Sequence, residues 1–198
     1  MANVKELVRR SQTKDQQAFA ELVSLYQDKV YSLSYHLTGD ATEAQDLAQE
    51  VFLRAYLHIG TFRQEADFGT WLHRITVNVW LNSRRKQKGP LVISLDTPIV
   101  TEDGEVAREV AAAQPDPLEM TTERELQQLV RRALQELPAD FRAVLVLREI
   151  EGYNYEEIAR LLRCSLGTVK SRLNRARHAL KAKVLALAAR DGYSLSDR

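Results

Sequence analysis

Apolar residues recur every three or four positions through most of residues 4–86, which is the period of amphipathic α-helices. The pattern breaks near residues 11–14, 38–40 and 60–67, so it predicts a bundle of successive helices. Asp40 followed by Glu43 has the spacing of a capping box and predicts that a new helix begins there. One apolar stripe is expected to form the core of this bundle: Phe19, Leu22, Val23, Tyr26, Val30, Leu33 and Leu37.

The helix after Asp40 carries two leucines on the wrong side. Most of its apolar residues share one face, but Leu53 and Leu57 fall on the opposite face among Asp46, Gln49 and Glu50. Either another part of the bundle covers these leucines or they form a docking surface for a partner. The periodicity alone leaves both interpretations open.

A second amphipathic pattern covers residues 68–88 and follows a polar loop at residues 61–67. Its inner side is predicted to carry Phe68, Leu72, Ile75 and Val79. The outer side is predicted to carry Arg74, Asn78, Leu81 and Arg85, with Arg84, Lys86 and Lys88 nearby. No acidic residue occurs from Thr70 to Lys88, so this side is a candidate nucleic-acid surface.

Aromatic residues lie among these cations, an arrangement that suits single strands because unstacked bases stack on aromatic rings. Phe62, Phe68, Trp71 and Trp80 are available by sequence. For the two tryptophans, packing in the core is the stronger interpretation. The loop at residues 61–67 is better placed to hold a base that has been flipped out of a duplex.

Charge divides the chain into three parts. Residues 1–88 hold 12 Lys and Arg against 10 Asp and Glu, residues 89–119 hold 1 against 7, and residues 120–198 hold 15 against 10. The acidic middle part is rich in Pro and Gly and shows little periodicity, so it is predicted to be a flexible linker. It is either a solvated spacer or an acidic tether that hovers over basic surfaces and weakens nonspecific binding. The predicted organisation is therefore an all-α fold with helical domains at 1–88 and 120–190, joined by a linker at 89–119.

Residues 154–183 have the pattern of a helix-turn-helix. Asn154 and Glu157 form a predicted capping box, residues 163–165 form the turn, and Ser165 is placed to cap the second helix. Small residues near the turn let two helices cross closely, and Ala159, Cys164 and Gly167 fit that requirement. Apolar residues of the second helix are expected to face the core: Val169, Leu173, Ala176 and Leu180.

The opposite side of the second helix is predicted to read DNA. It carries Thr168, Ser171, Asn174, Arg175 and His178, flanked by Lys170, Arg172, Arg177 and Lys181. Residues 163–183 contain seven Lys and Arg and no Asp or Glu, although the whole chain nets only +1. A basic helix face is often no more than solvated surface, but together with the turn pattern it indicates DNA binding.

The sequence offers little for catalysis or membrane insertion. The four histidines are dispersed, Cys164 is the only cysteine, and there is no glycine-rich phosphate loop, so we expect no metal site, no cofactor, no small-molecule substrate and no enzymatic activity. Cys164 is either a small buried thiol or a redox sensor. No secretory signal or membrane-spanning run is found, which predicts a cytoplasmic protein.

Several sequence blocks resemble bacterial RNA polymerase sigma factors of the extracytoplasmic-function group, in that family's order and over nearly the full length. In the first half they are residues 17–31 (QAFAELVSLYQDKVY), 46–56 (DLAQEVFLRAY) and 68–78 (FGTWLHRITVN). In the second half they are residues 137–162 (LPADFRAVLVLREIEGYNYEEIARLL) and 167–177 (GTVKSRLNRAR). The resemblance implies that the chain binds core RNA polymerase and directs promoter-specific transcription initiation.

The resemblance also implies what each surface binds. The helix after Asp40 would dock on the clamp helices of the polymerase's largest subunit, which favours an interface at Leu53 and Leu57. The first half would open the minus-10 promoter element and hold it as single strands, and the second half would read the minus-35 element as duplex. An anti-sigma factor is implied as a further partner. The alternative function is that of a stand-alone helix-turn-helix transcriptional regulator.

These implications assign candidate residues to each surface. The polymerase-binding residues are Asp46, Gln49, Glu50, Leu53, Arg54 and Leu57. The minus-10 residues are Phe62, Arg63, Gln64, Arg74, Asn78, Arg84 and Arg85. The minus-35 residues are Thr168, Lys170, Ser171, Arg172, Asn174, Arg175, Arg177 and His178. Gln64 and Asn174 fall where such proteins vary, so the promoter sequence stays open.

Overall fold

A computed structural model describes residues 3–63, 66–88 and 117–192, with side chains as far as residue 86 before the central gap and from residue 124 after it. Every regular element within these ranges is helical, as the sequence predicts. Most of the predicted linker lies outside the described residues. The helix that follows it begins at Pro117, three residues before the boundary at 120 that we expected from sequence.

The described residues of the first half, 3–63 and 66–88, form four α-helices. They are α1 (Val4–Gln12), α2 (Gln16–Thr38), α3 (Ala41–His58) and α4 (Phe68–Lys88), with a 3-10 turn at Ile59–Thr61 between α3 and α4. The Asp15 side chain caps α2 by accepting from the Ala18 N–H at 3.0 Å. The left-handed conformation of Gly39, at φ 77°, ends α2.

Only one of the two hydrogen bonds of the predicted capping box at Asp40 is present. The Asp40 carboxylate accepts from the Glu43 N–H at 2.9 Å. The Glu43 carboxylate does not return the bond, because it pairs with Arg84 of α4. The Asp40 N–H donates instead to the Thr38 hydroxyl at 3.5 Å. A contact between α3 and α4 has therefore replaced a local one, which the spacing of residues along the chain does not reveal.

The core of the first half follows the predicted stripe. Phe19, Leu22, Tyr26, Val30, Leu33 and Leu37 are buried, and Val23 packs against them. Helix α4 crosses α2 and α3, and its inner residues Phe68, Leu72 and Val79 are buried as expected. Leu81 was expected on the outer side, but it is only 7% exposed. That expectation is wrong because α4 is packed on more than one side: helices of the second half also contact it.

Residues 117–192, the described part of the second half, also form four α-helices. They are α5 (Pro117–Gln135), α6 (Ala139–Leu145), α7 (Tyr155–Leu162) and α8 (Leu166–Arg190), and a π-helical turn at Val146–Ile150 continues α6. Leu129 and Ala133 of α5 pack against Leu187 and Ala188 near the end of α8. Residues of α6, α7 and the first part of α8 join the core of the first half, so the two halves share one apolar cluster.

Candidate nucleic-acid and partner surfaces

The helix-turn-helix is built by local hydrogen bonds. Both hydrogen bonds of the capping box at Asn154 are present. The Asn154 N–H donates to the Glu157 carboxylate at 2.8 Å, and the Glu157 N–H donates to the Asn154 side-chain oxygen at 2.8 Å. Arg163 adopts the left-handed conformation, at φ 52°, and turns the chain. The Ser165 hydroxyl accepts from the Thr168 N–H at 3.0 Å and starts α8. The predicted turn and both caps are therefore confirmed.

Helix α8 is held by one apolar side. Val169, Leu173 and Ala176 are almost completely buried, at 0%, 1% and 0% exposure. Leu180 is half-buried and packs against the core. The inward residues match the predicted stripe, so the residues between them face away from the core. Lys170, Ser171, Asn174, Arg177 and His178 are exposed, and Thr168, Arg172 and Arg175 are half-buried.

Some of these side chains are already engaged within the chain. The Thr168 hydroxyl is 2.8 Å from that of Ser165, and the Ser171 hydroxyl donates to the Thr168 carbonyl at 3.1 Å. Arg177 donates twice to one Glu149 oxygen, at 3.2 Å and 2.8 Å, and these bonds raise the pKa of its guanidinium above the ordinary value. DNA phosphates would have to compete with Glu149 for this arginine.

A second basic surface lies along α4. Arg63 and Arg85 are exposed, and Arg74 and Asn78 are half-buried. Arg84 pairs with Glu43, and the Arg85 guanidinium is 3.8 Å from the Asp140 carboxylate. Gln64 lies outside the described residues. The structure thus brings most of the predicted minus-10 side chains to α4 and to the loop that precedes it.

Phe62 does not have the position that base stacking requires. Its side chain is 8% exposed, and its ring packs 5.0 Å from Trp71 and 5.7 Å from Phe68, measured between ring centroids. The expectation that Phe62 is available to a base is therefore wrong for this structure. Trp71 and Trp80 are 7% and 1% exposed, in line with the core interpretation. Aromatic side chains next to a polar loop can pack beneath the loop as part of the core. The sequence does not distinguish that role from stacking on a bound nucleobase.

The loop at residues 61–67 is anchored by a residue that the sequence did not single out. The Gln12 side-chain amide, on α1, donates to the Ile59 carbonyl at 3.1 Å and to the Phe62 carbonyl at 2.7 Å. At the other end of the loop, the Asp67 carboxylate accepts from the Gly69 N–H at 2.8 Å. Both ends of the loop are fixed, but no local sequence signal links Gln12 to a segment about fifty positions away.

Helix α3 presents an apolar surface to solvent. Leu53 and Leu57 are 55% and 66% exposed, so no part of the described chain covers them. Charged residues border them: Arg54 donates to Glu50 at 2.6 Å, and Asp46 is exposed. Gln49 is exposed as well. Leucines this exposed, with a polar rim, are typical of a docking surface.

The two halves meet at an interface that contains polar groups. Arg142 of α6 is 8% exposed; its guanidinium donates to the Leu37 carbonyl at 2.7 Å and lies over the Trp80 ring at 5.4 Å. Burial, and secondly the nearby Arg84, lowers the pKa of Arg142 to about 10. The Tyr153 hydroxyl, before α7, is hydrogen-bonded to His73 Nδ1 of α4 at 2.9 Å. We call the contacts of α2 and α4 with α6, α7 and the turn between them the inter-half interface.

His73 and Glu151 also face each other across the inter-half interface. Nδ1 of His73 is 3.8 Å from the Glu151 carboxylate, and Nδ1 of His36 is 3.9 Å from it. Burial, and secondly the charge of Lys29, lowers the pKa of His73 to about 4. Burial also lowers the pKa of His36 and raises that of Glu151. At neutral pH, His73 is therefore an uncharged hydrogen-bonding partner for Tyr153.

The described residues contain neither a membrane-spanning helix nor a cluster of metal-ligating side chains. No helix there is long and apolar enough to cross a bilayer. Nor do three or more His, Cys, Asp or Glu side chains in those ranges come together as a metal site. Cys164 is partly buried in the turn before α8 and packs against the core.

Comparisons with known proteins cover both halves. Residues 22–89 match the family described as Sigma-70 region 2, and residues 127–180 match the family described as Sigma-70, region 4. RNA polymerase sigma-H factor of Pseudomonas aeruginosa is 40% identical over 179 residues, which cover 88% of this chain and 90% of that protein. ECF RNA polymerase sigma-E factor of Escherichia coli is 40% identical over 187 residues, which cover 91% of this chain and 94% of that protein.

A solved structure supports the same relationship. The sigma factor RpoE from Bartonella quintana, in complex with the anti-sigma factor NepR, is similar with a TM-score of 0.58 and 26% sequence identity. The similarity covers 84% of this chain and 96% of that chain.

Proposed function

Because this chain belongs to the ECF sigma factors of the sigma-70 family and so serves promoter-specific initiation by RNA polymerase, we propose a division of that task among three surfaces. Helix α3 docks on core polymerase, α4 and its preceding loop hold the melted minus-10 element, and α8 reads the minus-35 element. The observation that carries this proposal is the exposed outer side of α8, next to a helix-turn-helix whose caps are complete. The chain acts by binding and not by catalysis, in the cytoplasm.

Upstream recognition is assigned to the exposed side of α8. A helix of this kind enters the major groove, where polar and basic side chains bond to base edges. Lys170, Ser171, Asn174 and Arg175 lie near the start and middle of α8 and are exposed or half-buried. They supply both donors and acceptors, whereas Arg172 and Arg177 are paired with carboxylates of the chain and suit phosphate contacts.

Downstream melting is assigned to α4 and residues 61–67. Arg63, Arg74, Asn78 and Arg85 give this region cations and an amide on the surface. Because Phe62 is buried, a captured base would meet the polar loop and not this ring. Unstacking a base costs a few kcal/mol, which binding of the extruded base and of phosphates offsets.

Polymerase docking is assigned to the apolar surface of α3. Leu53 and Leu57 are too exposed for core residues, and their rim is polar. The clamp helices of the largest polymerase subunit are the proposed partner. We also propose that an anti-sigma factor binds this chain, since a similar sigma factor was solved in complex with one.

Transcription with purified components tests the proposal. Core RNA polymerase of the host bacterium is incubated with genomic DNA, with and without the chain, and the 5′ ends of the transcripts are mapped. We expect a set of start sites that needs the chain and shares two upstream sequence elements. A stand-alone regulator would bind DNA without polymerase and create no start site, and that result would refute the proposal.

A further inference from the structure

A carboxylate from outside α8 holds one of the arginines assigned to minus-35 DNA. Glu149 lies in the π-helical turn that continues α6, and Nε and Nη2 of Arg177 donate to one of its oxygens at 3.2 Å and 2.8 Å. The side chains of Arg177 and Glu149 are 52% and 49% exposed, so DNA on the outer side of α8 would meet both. The pair brings a negative charge to a segment, residues 163–183, that has seven Lys and Arg and no acid of its own.

The turn that carries Glu149 is firmly supported. Val146 and Leu147 are both 0% exposed. The Glu151 N–H donates to the Val146 carbonyl at 3.0 Å, and the Tyr153 N–H donates to the Leu147 carbonyl at 3.0 Å. π-helical turns are uncommon and often occur at functional sites. Glu149 therefore presents its carboxylate from a fixed position of the backbone.

Tyr155, the first residue of α7, adds to the support of Arg177. The hydrogen bonds to Glu149 raise the pKa of the Arg177 guanidinium, and Tyr155 contributes in the same direction. The Arg148 guanidinium lies over the Tyr155 ring at 5.2 Å and donates to the Tyr153 carbonyl at 3.1 Å. Arg177 is thus held in one arrangement, whereas a solvated arginine moves among many rotamers.

An arginine held in one arrangement favours one position of the DNA. Nonspecific binding depends on cations that reach whichever phosphates lie near. A phosphate in another position has to draw Arg177 away from Glu149 and break the ion pair. A phosphate in the matching position meets donors that Glu149 leaves unused, since the pair employs two of the five N–H donors of the guanidinium. Such a preorganised group strengthens the matching complex more than the others.

Resting on the proposed function of α8, we propose that Glu149 is a positioning residue for promoter selection. It holds Arg177 so that this arginine contacts a DNA phosphate when α8 sits on a minus-35 element, and not when α8 lies on other DNA. Glu149 touches no base itself. It raises the discrimination between promoter and other DNA through the arginine.

Initiation on two templates tests the proposal with the full chain bound to core polymerase. One template carries the promoter of a mapped start site, and the other carries the same promoter with a scrambled minus-35 element. At a limiting concentration of the complex, the ratio of initiation rates on the two templates measures discrimination. Glu149→Gln should lower this ratio about two- to fivefold, the range expected for release of a surface ion pair.

The ratio separates positioning from simple charge. Loss of one negative charge would raise binding to both templates alike, so an unchanged ratio in E149Q would overturn the proposal. The thermal midpoint of E149Q should stay near that of the wild type. A ratio that falls together with the midpoint would mean that Glu149 maintains the fold, which also contradicts the proposal.

A double variant shows whether Glu149 acts through Arg177. Arg177→Ala alone should lower the ratio, because the held guanidinium is lost. Adding Glu149→Gln to Arg177→Ala should then leave the ratio unchanged, because nothing remains for the carboxylate to hold. A further fall in the double variant would show that Glu149 acts independently of Arg177 and would refute its positioning role.

Glu136→Gln is the matched control. The charge change is the same, and Glu136 also accepts from a cation of α8, since Lys183 donates to it at 2.9 Å. Lys183 lies outside the minus-35 set, so E136Q should leave the ratio unchanged. An equal fall in E136Q and E149Q would attribute the effect to net charge and count against the proposal.

The wild type reports on the proposed function separately. If the wild-type complex initiates equally well on both templates, then α8 does not read the minus-35 element, and both the proposed function of α8 and the role of Glu149 fail. If the wild type discriminates and E149Q has the same ratio, only the role of Glu149 fails.

Discussion

We expect single side chains on the outer side of α8 to determine which promoters are recognised. Arg175 is half-buried. Arg172 and Arg177 form ion pairs with carboxylates, but Arg175 forms none with the described residues, so its guanidinium is available to a base edge. Arginine can bond a guanine with two parallel hydrogen bonds, which fixes both the base and its position.

Arg175→Ala should therefore weaken binding to a minus-35 duplex. A bidentate base contact is worth about 1–3 kcal/mol, so we expect affinity to fall by a factor between about 5 and about 150. Fluorescence anisotropy with a duplex taken from a mapped start site measures it. Arg160→Ala, an exposed arginine of α7, is the control and should have little effect. Equal losses in the two variants would mean that Arg175 contributes charge and not recognition.

His73 provides a second prediction for a single residue, because its folded-state pKa of about 4 lies below the ordinary value of 6.5. The unfolded chain takes up a proton as pH falls from 6.5 towards 4, and the folded chain does not. The stability due to neutral His73 is thus complete above pH 6.5 and is lost progressively between pH 6.5 and 4. The loss amounts to at most about 3 kcal/mol.

Urea unfolding of wild type and His73→Gln across this pH range measures the effect. The difference in unfolding free energy between the two should shrink as pH falls. The comparison with His73→Gln is needed because the pKa of Glu151 is raised by burial. Glu151 therefore contributes stability that increases as pH falls, and it does so in both proteins. A difference that is constant with pH would show that His73 is not held neutral.

At the scale of elements, α3 illustrates how periodicity separates core from surface. Its buried residues Ala44, Leu47, Val51 and Ala55 hold the helix on the bundle. Leu53 and Leu57 contribute little to that packing, because more than half of each side chain is exposed. The two leucines are thus available to contact a partner protein.

Leu53→Asp should abolish association with core polymerase while leaving the thermal midpoint nearly unchanged. A charge on the docking surface would be buried unpaired in the complex, but it would be solvated in the free protein. Pull-down and thermal melting measure the two properties. Val51→Asp, in the same helix and 0% exposed, should instead unfold the bundle. If L53D melts like V51D, then Leu53 is a core residue.

Elements whose signals are local could be predicted from sequence, and those that depend on distant contacts could not. The caps at Asn154 and Ser165 lie within three residues of their partners, so their patterns are visible in the sequence. The Glu43 carboxylate departs from its predicted box because Arg84, 41 residues away, binds it. Leu81 and Phe62 were misplaced for a similar reason: tertiary packing on α4 and around the loop buries them.

For the whole molecule, the inter-half interface is the feature that sequence patterns do not contain. Arg142 and the Leu37 carbonyl are 105 residues apart, and His73 and Tyr153 are 80 apart. The charge pattern identified the acidic segment that separates two helical parts, but it gave no sign that the parts share a core. Such contacts depend on the packing of complete surfaces.

The shared core predicts that the two halves unfold together. Both tryptophans lie in α4 of the first half, whereas far-ultraviolet circular dichroism reports helices of both halves. Urea transitions followed by tryptophan fluorescence and by circular dichroism should therefore coincide, as for a two-state protein. Two resolved transitions in the wild type would show that the halves are independent.

The amide of Gln12 gives the first helix an influence beyond its own location. It ties the backbone on both sides of the 3-10 turn, at Ile59 and Phe62, although α1 carries none of the residues assigned to nucleic acid or polymerase. Removal of α1 would release the backbone on both sides of this turn, so under the role proposed for the loop we expect a chain without α1 to form open promoter complexes more slowly than the full chain.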